Sequence, residues 1–105
     1  MTRVYVDISI FTPSNSVGVI SGYLNIDIVP AKGESLSFEN PITPNIQLST
    51  SNFNKSIEVK YVSPPVAGTK ELLISLADIT VPTRVEAMKV ANYLQQGFGL
   101  YFDEN

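Results

Sequence analysis

Two aspartates are the residues of this sequence most open to a chemical reading. Asp7 lies in the alternating run 4–11 and Asp27 in the alternating run 23–29. If the two runs pair as an antiparallel hairpin centred on Val17, position 7 falls opposite position 27 on the outward face, with Ser9 beside Asn25 and Phe11 beside Tyr23. Directly opposed side chains have Cβ atoms ~5 Å apart, so two carboxylates there repel and call for a cation, a shared proton or a basic group from another molecule. Framed by Tyr5, Phe11, Tyr23 and Asn25, the pair reads as a small acidic patch suited to gripping an Arg or Lys of a partner protein. A register shifted by two sets Asp7 against Asn25 instead and leaves both carboxylates merely solvated.

A second acidic patch is expected at Asp103 and Glu104, which lie just past Tyr101 and read either as a solvated tail or as a charge that steers a basic partner. Asn54-Lys55-Ser56 matches the glycosylation sequon, a motif of little specificity that is discounted without an export signal.

Catalytic chemistry finds few residues to work with. The chain has no histidine and no cysteine, which removes the usual general base near neutral pH, the commonest transition-metal ligand and thiolate nucleophiles. A hydrolase would need a Ser-Lys pair or a carboxylate dyad, and no motif brings Lys60 or Lys70 to a serine. No Walker sequence, dinucleotide fingerprint or EF-hand loop is present. Gly97-Phe98-Gly99 reads as a helix stop. Two aspartates from one hairpin are too few ligands to name a metal, so no metal, cofactor or enzymatic activity is expected.

The elements that would position these residues are set out by periodicity. Val4, Val6, Ile8 and Ile10 alternate with Tyr5, Asp7, Ser9 and Phe11, a strand with one apolar face. Residues 12–22 carry many turn formers and read as a long loop, after which Leu24, Ile26 and Ile28 alternate with Tyr23, Asn25 and Asp27. Residues 35–38 form a short third strand. Residues 39–55 read as an extended loop with a short strand at 46–49. Ile57, Val59 and Tyr61 alternate with Glu58, Lys60 and Val62 in a further strand that ends at Pro64-Pro65.

The last third reads as strand, helix, strand. Residues 72–79 form the strand, and Pro82 ends it near Val81. Thr83 and Glu86 make a T-x-x-E capping box for a helix from Thr83 to Gln96. Ala87, Val90, Ala91 and Leu94 recur at the spacing of one buried stripe, and Glu86, Lys89, Tyr93 and Gln96 are expected on the other side. Gly97 is the expected left-handed stop, and Phe98 to Phe102 alternates as a final strand. The flanking strands are expected to run parallel through a right-handed crossover. The fold class is therefore α+β: a small, mostly antiparallel sheet of about five or six strands with one C-terminal helix packed on one face and a short final strand.

At 105 residues the chain fits a single domain, 1–105, and its 44% hydrophobic content is that of a globular protein. The net charge of −3 and seven scattered Lys and Arg residues argue against direct contact with nucleic acid or an anionic membrane surface. No apolar run approaches a membrane span, and the expected compartment is the cytoplasm.

These observations point to a non-enzymatic protein–protein interaction module, such as a small acidic inhibitor or immunity-type protein masking a basic surface of its partner. An unprotected sheet edge would also let the chain pair with a second copy. The alternative is a small-molecule or nucleotide-type ligand-binding domain that closes the loops 12–22 and 39–55 over one end of the sheet, with Lys32 and Lys55 as charged anchors.

Overall fold

The computed structural model describes residues 2–39, 41–42, 53–65 and 70–104. These form strands β1 (Thr2–Phe11), β2 (Ser16–Ile26), β3 (Ser35–Ser37), β4 (Ser56–Ser63), β5 (Leu72–Leu76) and β6 (Ile79–Thr80), then helix α1 (Arg84–Phe98) and strand β7 (Tyr101–Glu104). The fold is α+β, a mixed sheet of seven strands with one C-terminal helix and a final strand. The strand expected at 46–49 lies outside the described residues.

The sheet runs in the order β3-β4-β5-β1-β2-β7, with β6 also paired to β1. β1 is central: β2 pairs antiparallel with it along one edge, and β5 and β6 pair parallel with it along the other. The run expected as one strand over 72–79 is broken at Ala77 and Asp78, and the Ala77 amide donates to the Glu58 carbonyl at 2.8 Å. After the break Val81 still donates to the Phe11 carbonyl at 2.9 Å, and Pro82, which has no amide proton to give, ends the ladder.

The strand–helix–strand unit is parallel as expected. Its two arms are not neighbours, however, because the β1–β2 hairpin lies between β5 and β7.

The hairpin departs from the expected register. Thr12 and Asn15 exchange backbone hydrogen bonds at 2.8 and 3.3 Å, closing a turn over Pro13 and Ser14 alone. Residues 16–22, expected in a loop, belong to β2. The irregularity beside Phe11 lets Phe11 pair with Ser16 and Ile10 with Gly18, so that Val17 is the extra residue and is 1% exposed. Gly18, a turn former by residue type, has a strand role here. An added Cβ there would meet the Asp103 carbonyl oxygen at 2.5 Å and the Phe102 ring at 2.6 Å. The glycine is therefore what lets β7 lie against β2.

The core lies between the sheet and α1. Val4, Val6, Ile8 and Ile10 of β1 meet Ile20 and Leu24 of β2, Ile74 and Leu76 of β5, and Ile57 and Val59 of β4 on one face. The Thr83 hydroxyl accepts from the Glu86 amide at 3.2 Å, which fixes the start of α1. Ala87, Val90, Ala91 and Leu94 are fully buried, as the stripe predicts. The stop comes two residues later than expected: Gly97 is a buried helical residue, and Gly99 takes the left-handed conformation at φ 71°.

Tyr93 corrects the expected polar side of the helix. It is 1% exposed, and its hydroxyl donates to the Phe38 carbonyl at 2.5 Å. Phe98 sets its ring edge-on to both Phe38 and Tyr93, with centroids 5.1 and 5.7 Å apart. The segment after β3 therefore packs along the helix, and the Ile42 amide donates to the Gly97 carbonyl at 2.7 Å. Sequence spacing alone cannot see this second layer, because it comes from a distant segment.

Gly18→Ala should cost about 2 kcal/mol, an overpacking cost, and loosen β7 first. Urea unfolding and amide hydrogen exchange at 101–104 check this.

Burial raises the Tyr93 phenol above the ordinary 10.0, and the nearby Glu39 carboxylate adds to the shift. The folded state therefore holds this proton more tightly than the unfolded chain. Its contribution is complete below pH 10 and is lost as the pH climbs through the raised value. Tyr93→Phe should cost about 1–2 kcal/mol at neutral pH by orphaning the Phe38 carbonyl, and should flatten the alkaline loss of stability seen in the wild type. Urea midpoints measured from pH 8 to 11 compare the two.

Candidate functional site

β1 and β2 place Tyr5, Asp7, Phe11, Tyr23 and Asn25 on the sheet face opposite α1, because their neighbours in the alternation are the core residues. The expected opposition of Asp7 and Asp27 does not occur. Asp7 pairs with Ser21, Arg3 with Asn25 and Tyr5 with Tyr23. Asp27 lies beyond the end of β2 and is exposed. The cause is the two-residue turn, which moves the hairpin centre away from Val17.

The register gathers a different set around Asp7. Across the sheet, Tyr61 of β4 pairs with Ser75 of β5, Ser75 with Asp7 of β1, Asp7 with Ser21 of β2, and Ser21 with Tyr101 of β7. One carboxylate thus sits between two serine hydroxyls, with a tyrosine at each end of the row. At the ~4.8 Å spacing of neighbouring strands this row is about 19 Å long. The adjacent row runs from Ser63 through Leu73 and Tyr5 to Tyr23.

Tyr61 reaches this face through an irregularity in β4 between Val59 and Tyr61. The extra residue reverses the alternation, so Val62 turns inward and Tyr61 is 56% exposed. Alternation from Ile57 and Val59 predicts Tyr61 on the inner face, and no local signal marks the bulge. The outward facing of Tyr101, 66% exposed, follows directly from the alternation of the final strand.

Aromatic geometry orders the second row. Tyr5 and Tyr23 meet edge to face with centroids 5.0 Å apart, and the Arg3 guanidinium lies 4.1 Å above the Tyr23 ring. Arg3 is also 4.0 Å from the Glu71 carboxylate. Lys60 pairs with Glu58 at 3.3 Å. With these two cations matched, Asp7 and Asp103 are the carboxylates of this face with no ion pair among the described residues.

The expected patch at Asp103 and Glu104 is split by strand geometry. Asp103 pairs with Val19 on the outer face, whereas Glu104 turns to the helix side and forms an ion pair with Arg84.

Shallow clefts open at the rim of the sheet. One, of about 370 Å³, lies between the hairpin turn at Ser14 and Asn15 and the helix start at Thr83 and Arg84. Another, of about 310 Å³, lies between Asn54 and Glu58 on one side and Asp78 on the other. Of the loops expected to close over a ligand, 12–22 is mostly strand, and most of 39–55 lies outside the described residues. No group of three or more Asp or Glu side chains among the described residues is placed to hold a metal. No described helix is long and apolar enough to cross a membrane.

The chain matches no protein-family model, no curated protein and no solved structure.

Because the outer-face residues contribute little to the core, replacing Asp7 with Lys together with Tyr101 with Ala should shift stability by no more than about 1 kcal/mol. Val6→Ala, on the core face of the same strand, should cost about 2 kcal/mol or more. Urea midpoints of the two variants test the division of labour between the faces.

Proposed function

We propose that this protein is a non-enzymatic binding module that offers the outer face of its sheet to a basic surface on a partner protein, in the manner of a small acidic inhibitor or adaptor. The observation that carries the reading is the row Tyr61, Ser75, Asp7, Ser21 and Tyr101, on the face that α1 leaves uncovered.

Three physical arguments support it. Tyr23, Tyr61 and Tyr101 are 45–66% exposed, and tyrosine supplies large contact area together with a hydroxyl at low entropic cost. Most of these residues stand on paired strands, so the surface is preorganised and little ordering is needed on binding. The charge that remains after internal pairing is negative, at Asp7 and Asp103, which favours Lys or Arg from a partner and steers its approach. Serine hydroxyls on either side of Asp7 add acceptors for the other donors of a guanidinium.

The test is site-specific photocross-linking in the protein's own cell. A photoreactive residue at Ser75 should give protein-sized adducts that disappear when Asp7 is changed to Lys. The same residue at Asn92, on the solvent side of α1, should give none. Equal labelling from both positions, or adducts indifferent to Asp7→Lys, would refute this placement of the interface.

A further inference from the structure

We propose that the free edge of β7 takes up an extended, basic segment of the partner as an added strand; this rests on the reading above and specifies how the partner is held.

β7 is the last strand of the sheet, and its single pairing among the described residues is with β2. Every second residue of such a strand turns its N–H and C=O away from the sheet, a template for a further chain. Proteins commonly protect such an edge by keeping it short or with charged side chains, lysine above all, proline or a bulge; β7, with four residues and two carboxylates, is thereby guarded against anionic strands but not against basic ones. Tyr101, Phe102, Asp103 and Glu104 include neither lysine nor proline, and their pairing with β2 is unbroken. The opposite edge of the sheet, β3, is three residues long and has no charged side chain within its span to select a basic segment.

The edge is also anchored to the rest of the fold. The close approach at Gly18, the burial of Leu100 and the Arg84–Glu104 ion pair tie β7 from both sides. An anchored template loses little freedom when it binds.

Its side chains define what it would accept. Asp103 faces outward beside Tyr101 with no ion pair among the described residues, and a residue on an added strand would sit ~5 Å from it, within reach of Lys or Arg. Phe102 faces the helix side and packs against the core, so the adjacent position on an added strand would be apolar. The matching segment alternates basic and apolar residues. A second copy of this chain fits poorly, since it would bring another Asp103 and Glu104 to the same edge of a chain whose net charge is −3.

The experiment is titration of the ¹⁵N-labelled full chain with a synthetic octapeptide of alternating Lys and Val, against an otherwise identical Glu–Val peptide, at about 50 mM salt, where charge contacts are weakly screened. Strand addition predicts amide shifts concentrated at 101–104 and slowed hydrogen exchange there. It also predicts at least tenfold weaker binding for Asp103→Lys, an intermediate loss for Asp103→Asn and no response to the Glu–Val peptide. Shifts centred on Tyr23 and Ser75 with β7 amides unprotected would overturn strand addition while leaving face docking intact. Absence of any shift at about 1 mM peptide, a concentration that detects even millimolar affinity, would also overturn it. Concentration-dependent β7 shifts without peptide would overturn it in favour of self-pairing.

Discussion

The central strand is hydrogen-bonded along both edges while one of its faces is completely dry, and this double constraint governs everything else in the molecule. Val4, Val6, Ile8 and Ile10 are at most 1% exposed, and β2, β5 and β6 all take their register from the strand that carries them. A slip by one residue would turn those four β-branched side chains to water and drive Tyr5, Asp7, Ser9 and Phe11 inward. At about 1.5–3 kcal/mol for each apolar side chain lost from the core, no rearrangement of that kind competes. The outer face is fixed by the same demand. The neighbours of Asp7 were chosen by what lies beneath them, which is how residues distant in sequence come to stand in one row.

Much of this was legible in the residues, and the failures share a cause. Alternation gave β1, and the Thr83–Glu86 spacing gave the start of α1, because both are local rules acting within a few residues. The outward facing of the β1 side chains and of Tyr23 and Asn25 was also legible, whereas Ser21 reads as a loop residue and Ile28, which alternation turns inward, lies past β2 and is 84% exposed. The pairing of β1 with β2 was not, since register depends on a turn, and Pro13 and Ser14 are separated from strand residues by nothing that composition reveals. Gly18 looks like a loop residue until β7 is laid beside it. The bulge before Tyr61 leaves no mark in the sequence and reverses the facing of everything after it in β4. Tyr93 reads as a solvent-side residue of α1 because its partner, the Phe38 carbonyl, belongs to a segment far earlier in the chain.

The two faces of the sheet are consequently built by different means. The inner face is closed by α1, which is itself backed by the aromatic set of Phe38, Tyr93 and Phe98. Side chains there are apolar and closely packed. The outer face has aromatic rings and hydroxyls in regular rows, held by the strands themselves. Its charges are largely matched in place, Arg3 by Glu71 and Lys60 by Glu58, so the few that are not matched dominate its local field. A surface with sparse, fixed charges discriminates among partners better than one with many mobile ones, because each misplaced group meets a defined penalty.

The position of the central strand in the chain has a kinetic consequence. β1 is made before β5 and β6, and one of its edges is completed only when they arrive, Val4 waiting for Leu72 and Ile10 for Ile79. The β1–β2 hairpin can close on itself at once through its tight turn, but on the ribosome it must wait with its apolar side chains and one row of backbone groups unsatisfied. Contacts this distant in sequence slow folding, and an open, hydrophobic hairpin is the species most exposed to association with its own kind. The late strands, rather than the early ones, therefore set the rate at which the nascent chain becomes safe from aggregation.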